Sequence, residues 1–162
     1  MKSPFVYIAT FLVILLTSCS STKTSVETIK EVTQKVKSKN FTVLVNSANP
    51  MRMNLIYLTS EFDLRIKNDS AFAYLPYYGV VHTAPIDASE GGIKFAAPTT
   101  SYKISPNKKS TGWDIEFRVK SKTIVYDIYM NVFNNGSSMV SVRSSDRDGI
   151  TFNGVLKLNQ KK

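Results

Sequence analysis

The sequence is poor in the residues that carry most catalytic and metal-binding chemistry. Its 162 residues include one cysteine and one histidine, Cys19 and His82. A single cysteine excludes a disulfide framework within the chain. Any His/Cys metal cluster or Ser-His-Asp triad would have to be built around His82. The chain also lacks G-x-G-x-x-G, P-loop and G-x-S-x-G motifs. We therefore expect no catalytic residue, no metal and no cofactor.

Two acidic residues are the remaining candidates for acid–base chemistry. Asp114 and Glu116 alternate on one face of a predicted strand, and Arg118 and Lys120 continue the same face. We interpret this row as an outward surface whose charges neutralise one another. His82 follows a strand-like segment, where a lone histidine is more often structural or solvated. The sequence thus favours a protein that is not an enzyme.

The N-terminus has the pattern of an export signal. Lys2 precedes the apolar run Phe5–Leu16, which is too short for a comfortable membrane span. Residues 16–19, Leu-Thr-Ser-Cys, resemble the bacterial lipobox, whose cysteine is acylated and becomes the new N-terminus. The only cysteine of the chain stands at that position. We predict a signal peptide over residues 1–18, a lipidated Cys19 that anchors the protein to a membrane, and a polar tether over residues 19–25.

The residues after Cys19 indicate where the lipoprotein is sorted. Ser20 stands where an aspartate would favour retention in the inner membrane, and no acidic cluster of the surface-export type follows. We therefore expect an outer-membrane lipoprotein that faces the periplasm. The formal net charge is +9, and loss of Lys2 with the signal lowers it by one. This basic charge could serve solubility or attract anionic lipid headgroups. Nucleic acid is not an expected partner of an exported lipoprotein.

Residues 26–162 are predicted to form one domain that begins with a helix. Apolar residues with helical spacing are Val26, Ile29, Val32 and Val36. Acidic residues lie early in this segment and lysines late, as the helix dipole favours. The pattern predicts an amphipathic helix over about Ser25 to Lys37, which would pack against or plug one end of a sheet.

From Phe41 onward the apolar period changes to two, which is typical of strands. The cleanest alternation runs from Trp113 to Lys120, and residues 134–136, Asn-Asn-Gly, are a strong hairpin signal. Ile93 and Phe95 indicate one short strand, and Tyr102 and Ile104 a second. No helical pattern separates the strands, so we expect a mainly β, antiparallel domain of about eight or nine strands over residues 41–158. A sheet that long usually closes into a barrel or folds into a sandwich.

An aromatic segment lies near the middle of this pattern. Residues 74–79, Tyr-Leu-Pro-Tyr-Tyr-Gly, follow a strand-like run, and their proline and glycine predict a kinked strand. The aromatic residues of the domain either fill a small core or line a pocket for one apolar or amphipathic molecule. The candidate pocket or rim residues are Tyr74, Tyr77, Tyr78, Tyr102 and Trp113.

Several motifs resemble one family of exported lipoproteins of the Bacteroidota, catalogued as domain of unknown function four-two-five-one. They are Asn49-Pro50-Met51, Leu75-Pro76-Tyr77-Tyr78-Gly79, Gly92-Ile93-Lys94-Phe95, the strand Trp113–Val119 and Gly154. The similarity covers about residues 41–158. It implies a lipocalin-like antiparallel barrel and a location in the cell envelope. It implies no activity.

A short pattern in a predicted turn suggests a modification. Asp69-Ser70-Ala71 is similar to the acceptor pattern of the general O-glycosylation system of these bacteria. Ser70 is therefore a candidate O-glycosylation site.

Two functional hypotheses remain open from the sequence. The first is a carrier or sensor of an apolar envelope molecule, held inside the barrel. The second is a scaffolding domain that docks another envelope protein through a sheet edge or exposed loops. Tyr126 and Tyr129 lie on opposite faces of one strand, and both faces are partly apolar. The Tyr129 face is thus either covered by the helix or a contact surface.

Overall fold

The computed structural model describes residues 24–83 and 91–159. The predicted signal peptide, Cys19 and the tether up to residue 23 lie outside the described residues. The elements are helix α1 (Val26–Lys37) and strands β1 (Asn40–Pro50), β2 (Ile56–Lys67), β3 (Ser70–Leu75), β4 (Ile93–Pro106), β5 (Gly112–Ser121), β6 (Ile124–Phe133), β7 (Ser137–Ser144) and β8 (Ile150–Leu156).

Helix α1 begins and ends as its sequence predicts. Ser25 is the N-cap, and its Oγ accepts a hydrogen bond from the backbone N–H of Thr28 at 3.1 Å. The cap satisfies one of the backbone donors that a helix start leaves free. Val32 and Val36 are fully buried in the same apolar cluster as the strands. The predicted amphipathic helix is confirmed.

The eight strands form one closed barrel. Each strand pairs antiparallel with the next along the chain, and β8 pairs with β1 from Val43↔Leu156 to Pro50↔Ile150. Closure removes both free edges, so every strand has a partner on each side. The predicted antiparallel barrel is confirmed, with eight strands. The closed barrel has no edge strand, although β4 pairs with β3 only from Ile93 to Pro98 and with β5 only from Thr99 to Pro106. Docking of a partner through a sheet edge stays a prediction.

The barrel interior is filled by apolar side chains. On β5, Ile115, Phe117 and Val119 are buried, whereas the intervening charged residues are exposed. Facing strands contribute Leu64, Ile66, Leu75, Ile93, Ile128, Met130, Ile150 and Phe152 to the same core. Gly154 allows β8 to approach β1, since a Cβ there would overlap the carbonyl oxygen of Leu44. The helix, all eight strands and this core lie within the described residues.

Strand β4 corrects one detail of the prediction. The two short strands expected around Phe95 and Tyr102 are one strand of 14 residues. Its pairing with β5 shifts register between Thr100 and Lys103, and Ser101 has a φ of 55°. This irregularity turns the strand without ending it. The small and polar residues between Phe95 and Tyr102 break the apolar alternation, which made one strand resemble two.

The aromatic segment also differs from its prediction. Strand β3 ends at Leu75, and no regular strand continues through Pro76, which lacks the N–H that a sheet ladder needs. Instead the chain runs against the turn between β7 and β8, where Val81 forms an isolated bridge with Arg147. The predicted kinked strand is therefore wrong.

The up-and-down topology divides the connections between two ends of the barrel. The helix end contains α1 and the turns at 68–69, 107–111 and 134–136. The rim end contains the connections at 51–55 and 76–83 and the turns at 122–123 and 145–149. The aromatic segment thus belongs to the rim end, opposite the helix.

Candidate functional site

A buried arginine lies at the centre of the rim end. Only 6% of the Arg147 side chain is exposed, and both Nε and Nη2 lie 2.8 Å from Oδ2 of Asp146. Nη1 donates to the carbonyl oxygen of Gly92 at 3.2 Å. The guanidinium carbon lies 4.9 Å from the centroid of the Tyr77 ring. One cation therefore joins the β7–β8 turn, the residue before β4 and the aromatic segment.

Tyr77 fixes the aromatic segment to the same turn. Its hydroxyl lies 2.9 Å from the carbonyl oxygen of Val80 and 3.1 Å from that of Asp148. Desolvation by burial, together with the charge of Asp148, raises the pKa of Tyr77, so its hydroxyl remains a donor. Gly79 has a φ of 151°, and a Cβ there would lie 2.8 Å from this hydroxyl. Glycine at that position is what lets the tyrosine close the segment.

Asp148 ties two further connections to the turn. Its carboxylate is 9% exposed and lies 3.1 Å from Nε of Arg52 and 3.1 Å from Nε2 of His82. Its backbone N–H donates to the carbonyl oxygen of Val80 at 3.0 Å. The β1–β2 connection and the segment after β3 therefore meet at one carboxylate.

Asp146 completes the polar network of the rim. Burial alone would raise the pKa of its carboxyl, but hydrogen bonds from Ser144 and Arg147 and the nearby guanidinium charge outweigh burial and lower the pKa. The backbone carbonyl of Asp146 accepts from the N–H of His82 at 2.7 Å. We call Arg52, Tyr77, His82, Asp146, Arg147 and Asp148 the rim network.

Exposed apolar side chains surround this network. Met51 is 70% exposed and Tyr57 is 79% exposed, although both are large. We call the exposed apolar residues of this end the rim patch: Met51, Met53, Leu55, Tyr57, Val80 and Val81. Arg52 and Val80 are held by Asp148, so the network fixes the loops that display much of the patch.

The helix end is closed by different chemistry. Lys37 Nζ lies 5.2 Å from the Trp113 ring centroid, and Lys39 Nζ lies 4.7 Å from that of Tyr102. Tyr102 also stacks on Phe117 with centroids 5.7 Å apart. The Tyr102 hydroxyl is buried without a hydrogen-bond partner, and burial raises its pKa to about 12. This end therefore contains an unsatisfied polar atom within an apolar closure.

Comparison with known proteins identifies the family. Residues 23–156 match the model of a family described as Domain of unknown function (DUF4251). The chain belongs to the DUF4251 family. It is similar to the crystal structure of a DUF4251 family protein from Bacteroides eggerthii DSM 20697, with a TM-score of 0.62 and 14% identity. The match covers 80% of this chain and 87% of that chain, and identity at this level shows the fold alone. No curated protein matches.

The DUF4251 barrel does not bring the five predicted pocket residues together. Tyr74 lies outside the barrel and stacks on Phe62 with centroids 5.5 Å apart. Tyr77 and Tyr78 are half-buried at the rim end, whereas Tyr102 and Trp113 are half-buried at the helix end. The predicted residues therefore occupy three separate regions.

Two aromatic residues outside the five predicted pocket residues belong to the core. Phe95 and Tyr126 are buried inside the barrel, and their ring centroids lie 5.2 Å apart. Tyr129 lies on the opposite face of β6, 42% exposed, with the Arg143 guanidinium 5.7 Å from its ring. The interior of the barrel is thus built from packed side chains.

Surface grooves lie outside this packed interior. One groove of about 450 Å³ runs between α1 and the turns of the helix end. It is lined by Thr24, Ile29, Thr111, Phe133, Asn134, Asn135 and Ser137. It includes none of the five predicted pocket residues.

Two charged residues of the row on β5 have their partners on β6. Asp114 accepts from Nδ2 of Asn131 at 2.8 Å, and Arg118 Nε lies 2.7 Å from Oδ1 of Asp127. Both partners are directly opposite on β6. Glu116, Arg118 and Lys120 face outward as expected, whereas the ion pair of Arg118 runs across the strands to Asp127.

Ser70 is less exposed than its predicted turn suggested. It is the half-buried first residue of β3 and pairs with Lys67 and Pro98. The exposed residue of the turn is Asp69, whose Oδ1 lies 3.1 Å from Lys39 Nζ. Glycosylation of Ser70 remains a prediction.

The described residues contain neither a metal cluster nor a spanning helix. Within residues 24–83 and 91–159, no group of three His, Cys, Asp or Glu side chains is arranged to hold a metal ion. Over the same ranges, no helix combines the length and apolarity needed to cross a membrane.

Sequence reasoning missed most of the rim network. Residues 146–148, Asp-Arg-Asp, have the composition of a turn, and no motif singles out these residues or Arg52. Alternating charges in a turn are a weak signal by themselves. Their role follows from the antiparallel order, which places this turn beside the aromatic segment.

Proposed function

We propose that this DUF4251 protein is a lipid-anchored, non-catalytic envelope domain that docks another envelope protein through the rim patch. The observation that carries this proposal is an exposed apolar surface displayed on loops that a buried ionic network fixes. Several large exposed apolar side chains at one end of a domain are a feature of interaction sites. Methionine side chains adapt to the shape of a partner, and tyrosines are enriched at interfaces.

The charges beside the rim patch define the chemistry of its partner. The Arg52 side chain is 65% exposed and that of His82 is 49% exposed. Asp148, which contacts both, is almost completely buried and offers little negative charge to a partner. A partner surface with an apolar centre and carboxylates at its margin complements this arrangement.

The carrier hypothesis receives less support from the geometry. An interior ligand needs an enclosed space lined by a few polar groups. The inward positions described above are occupied by packed apolar side chains, and the five candidate residues are dispersed. Native mass spectrometry of the protein from its own envelope is expected to show the bare chain apart from its anchor. A co-purifying small lipid displaced by Tyr77→Ala or Tyr78→Ala would instead favour the carrier.

The anchor and its location form part of the proposal. We expect acylation at Cys19, sorting to the outer membrane and a domain that faces the periplasm. An acyl-chain analogue should label the protein, and Cys19→Ala should abolish the label. Removal of the domain by protease added to intact cells would contradict the periplasmic orientation.

A paired substitution tests docking through the rim patch. Met53→Glu with Leu55→Glu places two charges on exposed loop positions and leaves the core unchanged. We expect this variant to fold, to fail to complement a deletion strain, and to lose the partner cross-link that the unaltered protein forms. Met139→Glu is the control, since Met139 is exposed on the outer face of β7.

The control also separates the rim patch from the Tyr129 face. Met139 lies on that outer face, opposite Asn131 on β6. Full complementation by the Met53/Leu55 variant, or loss of the partner in Met139→Glu alone, would contradict docking at the rim.

A further inference from the structure

We propose that the helix end of the barrel lies on anionic lipid headgroups. The orientation rests on the proposed anchor at Cys19, but the surface is distinct from the rim patch. Its residues lie on the outward face of α1 and on the turn between β4 and β5.

The tether brings the helix end close to the bilayer. The described chain begins at Thr24, which lies beside Thr111 and Phe133 at the helix end. Five residues from Cys19 to Thr24 span at most about 17 Å when fully extended. An anchor on Cys19 therefore turns the helix end toward the membrane and the rim end away from it.

The outward side of the helix end carries exposed lysines. Lys30 and Lys37 are exposed on α1, and Lys108 and Lys109 are exposed in the β4–β5 turn. Two acidic residues of this end are already paired. Glu31 Oε1 lies 3.9 Å from Lys35 Nζ, and Asp69 Oδ1 lies 3.1 Å from Lys39 Nζ.

A third acidic residue lowers the net positive charge of the helix end. Glu27, exposed on the first turn of α1, offsets one positive charge. The four exposed lysines still outnumber it. Lysines held within a Debye length of an anionic bilayer are attracted to it.

Apolar and aromatic groups accompany these charges. Val26 is 69% exposed at the start of α1. Trp113 is half-buried at this end, with Lys37 Nζ 5.2 Å from its ring centroid. Tryptophan beside lysine is a typical combination at the boundary between a bilayer and water. A lipid surface therefore fits this end better than a second protein does.

Trp113 is also a built-in reporter, because the chain contains one tryptophan. The test uses the chain from Ser20 to Lys162, which keeps the helix and all eight strands and lacks both the predicted signal segment and Cys19. Vesicles of one part phosphatidylglycerol to two parts phosphatidylethanolamine are compared with vesicles of phosphatidylcholine. Binding is measured by co-sedimentation, and proximity by quenching of Trp113 with brominated lipid.

Two charge-reversed variants locate the binding surface. Lys108→Glu with Lys109→Glu alters the helix end. Lys120→Glu with Lys122→Glu makes the same change in charge at the opposite end of β5. We expect salt-sensitive binding to the anionic vesicles, quenching of Trp113, and a loss of about tenfold or more for the helix-end variant only.

Equal losses in the two variants would overturn the proposal, because generic charge would then explain binding. Binding without quenching of Trp113, or no binding to the anionic vesicles, would overturn it as well. None of these results depends on acylation or on the rim patch. Failure of this proposal is therefore distinguishable from failure of the proposed function.

Discussion

The two ends of the barrel are closed by different kinds of interaction. At the helix end, Val32 and Val36 insert into the apolar core and lysines cover the rings of Trp113 and Tyr102. At the rim end, the buried Arg147 joins three parts of the chain through hydrogen bonds and ion pairs.

The two closures respond differently to substitution. An apolar closure is non-directional, so it tolerates altered side chains in proportion to the volume removed. A buried ionic closure depends on direction and on every partner, because a lost partner leaves a desolvated charge. The rim end can therefore hold its loops in one arrangement, and it is the more fragile end.

The largest expected effect is at Arg147. Arg147→Met keeps much of the side-chain length but leaves Asp146 and the Gly92 carbonyl without their partner. We expect the free energy of unfolding to fall by about 3 kcal/mol, measured by urea denaturation. Arg118→Met is the matched control, because its ion pair with Asp127 is exposed and is expected to contribute less than about 1 kcal/mol. Similar losses in the two variants would remove the distinction between the ends.

The next effect is at the helix end. Val36→Ala removes two methyl groups from a fully buried position. We expect a loss of about 2 kcal/mol in the free energy of unfolding, since the transfer and cavity terms add. Amide exchange at His82 and Asp148, whose N–H groups donate to backbone carbonyls of the rim end, should keep the same opening free energy as in the unaltered protein. Selective opening of the rim in this variant would show that the two closures are coupled.

A pair of tyrosine substitutions should have opposite signs. Tyr77→Phe removes a hydroxyl that bonds to backbone carbonyls, and we expect it to destabilise the fold by about 1 kcal/mol. Tyr102→Phe removes a buried hydroxyl without a partner, and we expect it to stabilise the fold by about 1 kcal/mol. Thermal and urea unfolding of both variants measure the difference. Equal decreases in the free energy of unfolding would mean that the Tyr102 hydroxyl has a hydrogen-bond partner in solution.

The smallest predicted effect is a pH dependence that belongs to the rim end. The folded state lowers the pKa of Asp146, so its carboxylate contributes full stabilisation above the unfolded value of about 3.9. That stabilisation is lost as the pH falls from the unfolded-state pKa through the lower pKa that Asp146 has in the folded state. Unfolding free energies measured from neutral to acid pH should therefore decline less steeply in Asp146→Asn. An unchanged slope in this variant would place the acid sensitivity elsewhere.

The sequence predicted the helix and the strands better than it predicted the contacts of the rim end. Helical spacing in α1 and strict alternation on β5 are local patterns, and both predicted the structure correctly. The polar network depends on pairing between distant residues. Asp148 meets His82 and Arg52 only because the strand order brings three connections to one end. Local pattern carries no such information, so the rim network could not be predicted.

The aromatic residues show the same limit. Tyr74, Tyr77, Tyr102 and Trp113 have similar chemistry, and the sequence grouped them as one candidate pocket. The end of β3 at Leu75 and the register shift in β4 send them to separate regions. Aromatic content predicted the presence of a core but not the location of a site.

The rim end is proposed to contact a protein, and the helix end is proposed to contact lipid. Photo-crosslinking in intact cells is the most direct test of this arrangement. A photoreactive amino acid replaces Tyr57 in one strain and Lys30 in another, with lipidation at Cys19 left in place. We expect the Tyr57 position to form an adduct with a protein and the Lys30 position to form adducts with lipid. Lipid adducts at Tyr57 together with protein adducts at Lys30 would contradict the account.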